Sequence, residues 1–156
     1  VPLRLHALGV VTLSFEGRIT LQVVDSLDTG RGVQLRLIEL DVAAAHGELG
    51  KVVLREAEFD TTPYSRLELV GSGAPRLRET LFLDFTLIIS EPPDGGPPLV
   101  LANKQTATLV DDQLAMFPPR GSVHYLQQPI DLAPVGEPER IIAQLIELPI
   151  AVLDEL

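Results

Sequence analysis

The chain has 156 residues, of which 46% are hydrophobic and 4% aromatic, with no Cys or Trp and a formal net charge of −10. This acidic balance excludes nucleic acid and anionic membrane surfaces as partners, since both are bound by clustered Lys and Arg. The absence of Cys excludes disulfides, thiolate metal sites and a Cys nucleophile, and no apolar run reaches the roughly 20 residues of a membrane-spanning helix.

The first apolar rhythm runs from Leu3 to Phe15, with Leu3, Leu5 and Ala7, then Val11, Leu13 and Phe15 on one face. Gly9 reads as a bulge or a close backbone approach. Glu16-Gly17 reads as a tight turn into a second strand, Arg18 to Val24, so these two runs are expected to form a hairpin. After the polar loop Asp25 to Gly32, Val33 to Val42 is a third strand. Its alternation fails at Ile38 and Leu40, which predicts a bulge or a switch of face near Leu37-Ile38. Ala43 to Gly47 reads as a connection with a short helical turn ended by Gly47.

Gly50 to Phe59 and Arg66 to Val70 are the fourth and fifth strands. The sixth, Thr80 to Ser90, is the clearest: Leu81, Leu83, Phe85, Leu87 and Ile89 recur at every second position, the period of a strand. Glu91 to Pro98 holds four Pro and two Gly and is an exposed loop, because Pro removes backbone donors. Leu99 to Val110 is a seventh strand with the polar centre Asn103 to Thr106, and Ser122 to Leu126 is an eighth. Pro129 and Pro134 point to an edge or extended segment. Pro138 and Pro149 bracket Arg140 to Leu148, which reads as extended, and Ile150 to Leu153 follows.

About eight to ten strands in one chain define an all-β protein, an antiparallel β-sandwich or a closed β-barrel, as a single domain over 1–156. The core must be aliphatic. Val1-Pro2 at the start, without Met, suggests a removed targeting peptide or a late start, and the first option implies an exported protein at the cell surface or beyond it. A Cys-free chain also fits the cytoplasm.

Asp28-Thr29-Gly30 spells the tripeptide of aspartic proteases, whose chemistry needs two such carboxylates sharing a proton. Here Asp25-Ser26 precede it and Arg31 follows, and the segment reads as a turn. Asp25 with Asp28, Asp111-Asp112, and Glu91 with Asp94 offer oxygen ligands of the kind Ca²⁺ takes, without EF-hand spacing, and read as solvated turns. His6, His46 and His124 show no ligand spacing. His6 is expected to be exposed, and His124 to line an interior or face solvent. Ser14, Ser65 and Ser122 lack an elbow motif. Asn103 and Gln105 share a face with Leu99 and Leu101, which places polar groups either in a ligand cavity or at a strand end leaving the core. Gln113, Gln127 and Gln128 are further amides of this kind. No residue is assigned as catalytic, cofactor-binding or metal-ligating, and no cofactor is expected.

Asn103-Lys104, Pro118-Pro119-Arg120-Gly121 and Pro129-Ile130-Asp131-Leu132 make the last third resemble an uncharacterised bacterial all-β family. Gln105 departs from the acidic residue that the pattern carries after Asn-Lys. The resemblance implies no activity, and no functional residue is carried across.

Two long apolar termini, Val1 to Val11 and Ile141 to Leu153, lack closely spaced Lys. Unguarded edges pair with whatever strand is near. The leading expectation is therefore a non-catalytic structural protein that self-associates through its terminal strands into filaments or tubes. The alternative is a small barrel that binds an apolar small molecule in a lipocalin-like or cyclase-like pocket, using polar groups such as Gln105 or Tyr125. A Ca²⁺-dependent adhesion or carbohydrate module is a third reading, weakened by the lack of Trp for stacking on sugars.

Overall fold

Where apolar side chains alternate in the sequence, the chain is extended. A computed structural model describes residues 1–27, 31–57, 62–70, 76–114 and 123–151. Among them are fourteen strands and no helix, against the eight to ten strands expected. Every strand pair is antiparallel.

β1 (Pro2–Leu5) and β2 (Gly9–Thr12) form a hairpin. Gly9 has φ of +89° and opens β2 directly after the turn. It is thus a turn residue, and the single strand expected over Leu3 to Phe15 is two strands. β3 (Glu16–Ser26) pairs with β4 (Gly32–His46) and not with the strands before it. The Glu16-Gly17 turn is therefore corrected. Gly17 lies inside the β3–β4 ladder, where a Cβ would fall on the Asp41 carbonyl oxygen. The helical turn at Ala43 to His46 is corrected too, since these residues continue β4. The bulge near Ile38 is present: Thr20 pairs with Glu39 and Leu21 with Leu37, which leaves Ile38 without a partner in the ladder.

β4 is the seam of the molecule. Its residues Gly32 to Leu35 pair with β6 (Ser65–Val70), and Asp41 to His46 pair with β5 (Gly50–Glu56). The next two long runs cross the same seam. The Thr80–Ser90 strand divides at Asp84 into β7 (Arg76–Leu83), beside β6, and β8 (Phe85–Ile89), beside β5. The Leu99–Val110 strand divides at residues 104–106 into β9 (Leu99–Asn103), beside β8, and β10 (Ala107–Leu114), beside β7. β11 (Val123–Leu126) extends one half beyond β10. β12 (Ile130–Pro134) and β13 (Ala143–Leu145) extend the other as far as β1 and β2, and β14 (Ile150–Ala151) caps β11.

The result is one continuous sheet in the order β14-β11-β10-β7-β6-β4-β5-β8-β9-β12-β13-β1-β2, with β3 lying off this path against β4. Among the described residues β2 and β14 do not meet, so the sheet is bent and sandwich-like and is not a closed barrel. Pro129 and Pro134 do not mark an edge, because β12 is paired on both sides. One aliphatic core joins the halves: Leu81, Leu83 and Leu109 from one side meet Leu3, Leu54, Leu87 and Leu132 from the other.

Candidate functional site

Bending a sheet strips backbone donors of their ladder partners, and each stripped donor must find another acceptor. Side chains meet this need along the seam. The Glu56 carboxylate accepts from Leu40 N–H at 2.8 Å beside the β4 bulge. Ser65 Oγ accepts from Phe82 N–H at 3.0 Å. Asn103 Oδ1 accepts from Phe85 N–H at 2.9 Å, at the corner itself. Asp84 completes this corner. One carboxylate oxygen accepts from Asn103 Nδ2 and Thr106 Oγ1, both at 2.9 Å, and the other accepts from Thr62 Oγ1 at 2.6 Å. Asn103 Nδ2 also donates to the Gln105 carbonyl at 2.7 Å. The hydrogen-bonding capacity of this group is used in holding two chain crossings together.

Asn103 and Gln105 are thereby placed. Asn103 ends β9 in the corner, and Gln105 is exposed beyond it. This is the strand end leaving the core, and neither amide lines an interior. Tyr125, the other polar group expected in a pocket, faces solvent at 61% exposure. Gln127 donates to the Tyr125 carbonyl, and Gln128 is exposed. Gln113 lies in β10.

The other candidates scatter. His6 is exposed in the β1–β2 turn, and His46 accepts from Glu48 N–H at the end of β4. Asp25 lies in β3 opposite Gln34, not in the expected loop, and accepts from Ser26 N–H; Asp94 accepts from Gly96 N–H in an exposed turn, and Glu91 is exposed. Ser14 is exposed, and Ser65 serves the seam. Asp28-Thr29-Gly30, Ser122 and the Pro118 to Gly121 motif lie outside the described residues.

A second polar group is different in kind. On β7 the inward phase Leu77, Glu79, Leu81, Leu83 carries one carboxylate among leucines. Glu79 is directly opposite Asp111 of β10. The pairs Leu109 with Leu126 and Val110 with Tyr125 run on to bring Asp111 level with His124 of β11. Three titratable residues on neighbouring strands thus share the apolar face, with His124 at 0%, Glu79 at 1% and Asp111 at 6% exposure. His124 Nε2 lies 3.3 Å from Glu79 Oε1. The direction of approach is poor, however, and neither imidazole nitrogen makes a hydrogen bond; nor does Glu79 Oε2. Asp111 has an interaction of its own and is not counted among the unspent groups.

Burying a polar atom without a hydrogen bond costs about 1–3 kcal/mol. His124 and Glu79 bear this cost on the same face, on β11 and β7 with β10 between them. Among the described residues no group of three or more His, Asp or Glu is arranged to hold a metal ion. For His124 the sequence left an interior or solvent open, and the structure buries it. Glu79 was missed, although its signal was present: a charge on the inward phase of an apolar strand.

No protein-family model matches the chain, and no curated protein matches it. Among solved structures the chain is similar to DynF from the dynemicin biosynthesis pathway of Micromonospora chersina, with a TM-score of 0.76 and 20% identity over 98% of this chain and 76% of that one. At this identity the similarity is one of fold.

Proposed function

We propose that the chain binds an apolar small molecule against the inward face of its bent sheet, with Glu79 and His124 as the polar point of the site. The observation that carries this reading is the unspent hydrogen-bonding capacity of two fully buried side chains in an aliphatic interior. Binding sites of this class are mostly apolar with a few convergent polar groups. The fold shared with a biosynthesis-pathway protein supports the same reading.

The terminal edges expected to drive self-association are filled only in part: β1 is paired by β2 and β13, and β13 by β12 and β1, while β2 pairs only with β1 and β14 only with β11 among the described residues. Native mass spectrometry of gently purified protein tests the proposal. A co-purified organic molecule released on unfolding is the expected result. A bare chain mass, with no thermal shift from any of a set of hydrophobic compounds, counts against it.

One observation favours a second reading, a homodimer. β3 pairs only with β4 among the described residues, so its other edge presents unpaired backbone groups, and Val23 and Val24 beside it are exposed. An open edge of this length is a template for a second copy. Light scattering that stays at one chain mass up to high concentration removes this reading.

A further inference from the structure

We propose that Glu79 and His124 select the ligand's polar group, and that this group is a neutral hydroxyl and not a carboxylate. The inference rests on the small-molecule reading above and adds the chemical class. Glu79 Oε2 is an acceptor without a donor. His124 has two ring nitrogens without hydrogen bonds, and in its neutral form an imidazole holds one donor and one acceptor. A single hydroxyl satisfies such a pair, because it donates to the carboxylate and accepts from an imidazole N–H. A ligand carboxylate has no proton to give Glu79 and would set a second negative charge beside it. Like charges placed this close are unfavourable, and more so where water is absent. The buried polar residues among those described are Ser65, Glu79, Thr80, Asp111 and His124, with no Lys or Arg to receive an anion. The rest of the face, Leu67, Leu81 and Leu109, calls for an apolar body.

The test compares naphthalene, 2-naphthol and 2-naphthoate at neutral pH, by calorimetry and by probe fluorescence, which the absence of Trp leaves free of protein background. A hydrogen bond to a charged group contributes about 1.5–3 kcal/mol, so 2-naphthol is expected to bind about tenfold or more tighter than naphthalene. 2-Naphthoate is expected to bind most weakly. The Glu79→Leu/His124→Leu double variant keeps the face apolar and is expected to bind naphthalene while losing the naphthol preference. A wild-type measurement stands beside it: among the three His, the imidazole ¹⁵N resonances of His124 should shift on adding 2-naphthol, with those of His6 and His46 unmoved. Equal binding of naphthalene and naphthol, tighter binding of naphthoate, a preference that survives in the double variant, or still His124 resonances would overturn this inference alone. Failure of wild-type protein to bind any of the three would take the small-molecule reading with it.

Discussion

The Asp84 corner and the Glu79–His124 pair are both polar groups set into an aliphatic sheet, yet they differ in what their atoms do. At the corner both Asp84 oxygens and both polar atoms of Asn103 are engaged, and the bonds from Asn103 and Thr106 to Asp84 and Phe85 hold the β9–β10 crossing to the β7–β8 crossing. In the pair, two side chains are buried more deeply and satisfy almost nothing. A satisfied network is explained by the fold it maintains. An unsatisfied one buried deeper still is a cost the fold does not require, and it directs attention to a missing partner.

This contrast can be broken by measurement. The largest effect is expected at Phe85, whose backbone N–H is held by Asn103 and whose ring is fully buried. Phe85→Ala should lower the free energy of urea unfolding by about 3–5 kcal/mol. Asp84→Ala should follow, at about 2–3 kcal/mol, because it strands donors of Thr62, Asn103 and Thr106 together. A neutral Asp84→Ala would remove the corner's structural role and with it the comparison. The Glu79→Leu/His124→Leu variant should move in the opposite direction, gaining about 1 kcal/mol, since apolar groups replace a poorly satisfied buried pair. A loss of similar size would mean that the pair maintains the fold after all. Arg55→Ala should register least, under about 0.5 kcal/mol, because the Arg55–Asp41 pair spans 3.7 Å and both side chains are 54% exposed. Chemical denaturation of the four variants ranks them.

The strand rhythm was legible because inward and outward positions alternate whatever the sheet does. Leu81, Leu83, Phe85, Leu87 and Ile89 are all buried, straight through the break at Asp84. The break itself was hidden for the same reason. Asp84 takes an outward position, and the corner consumes no residue that would disturb the phase. Partner switching depends on which distant strand lies alongside, and no local pattern records that. Ile38 shows the converse, since a bulge adds a residue and the broken alternation revealed it. At the site, His124 was visible as a candidate, while Glu79 and Asp111 acquire their meaning only when β7, β10 and β11 are set side by side. For Asn103 and Gln105 the sequence offered a cavity or a strand end leaving the core, and the structure shows the strand end, with Asn103 in the corner and Gln105 exposed beyond it.

Leu3 is matched in register with Leu145. The β1–β2 hairpin is therefore synthesised long before β13, and the edge of β1 that β13 covers has no partner until then. Contacts so far apart in sequence are slow to form.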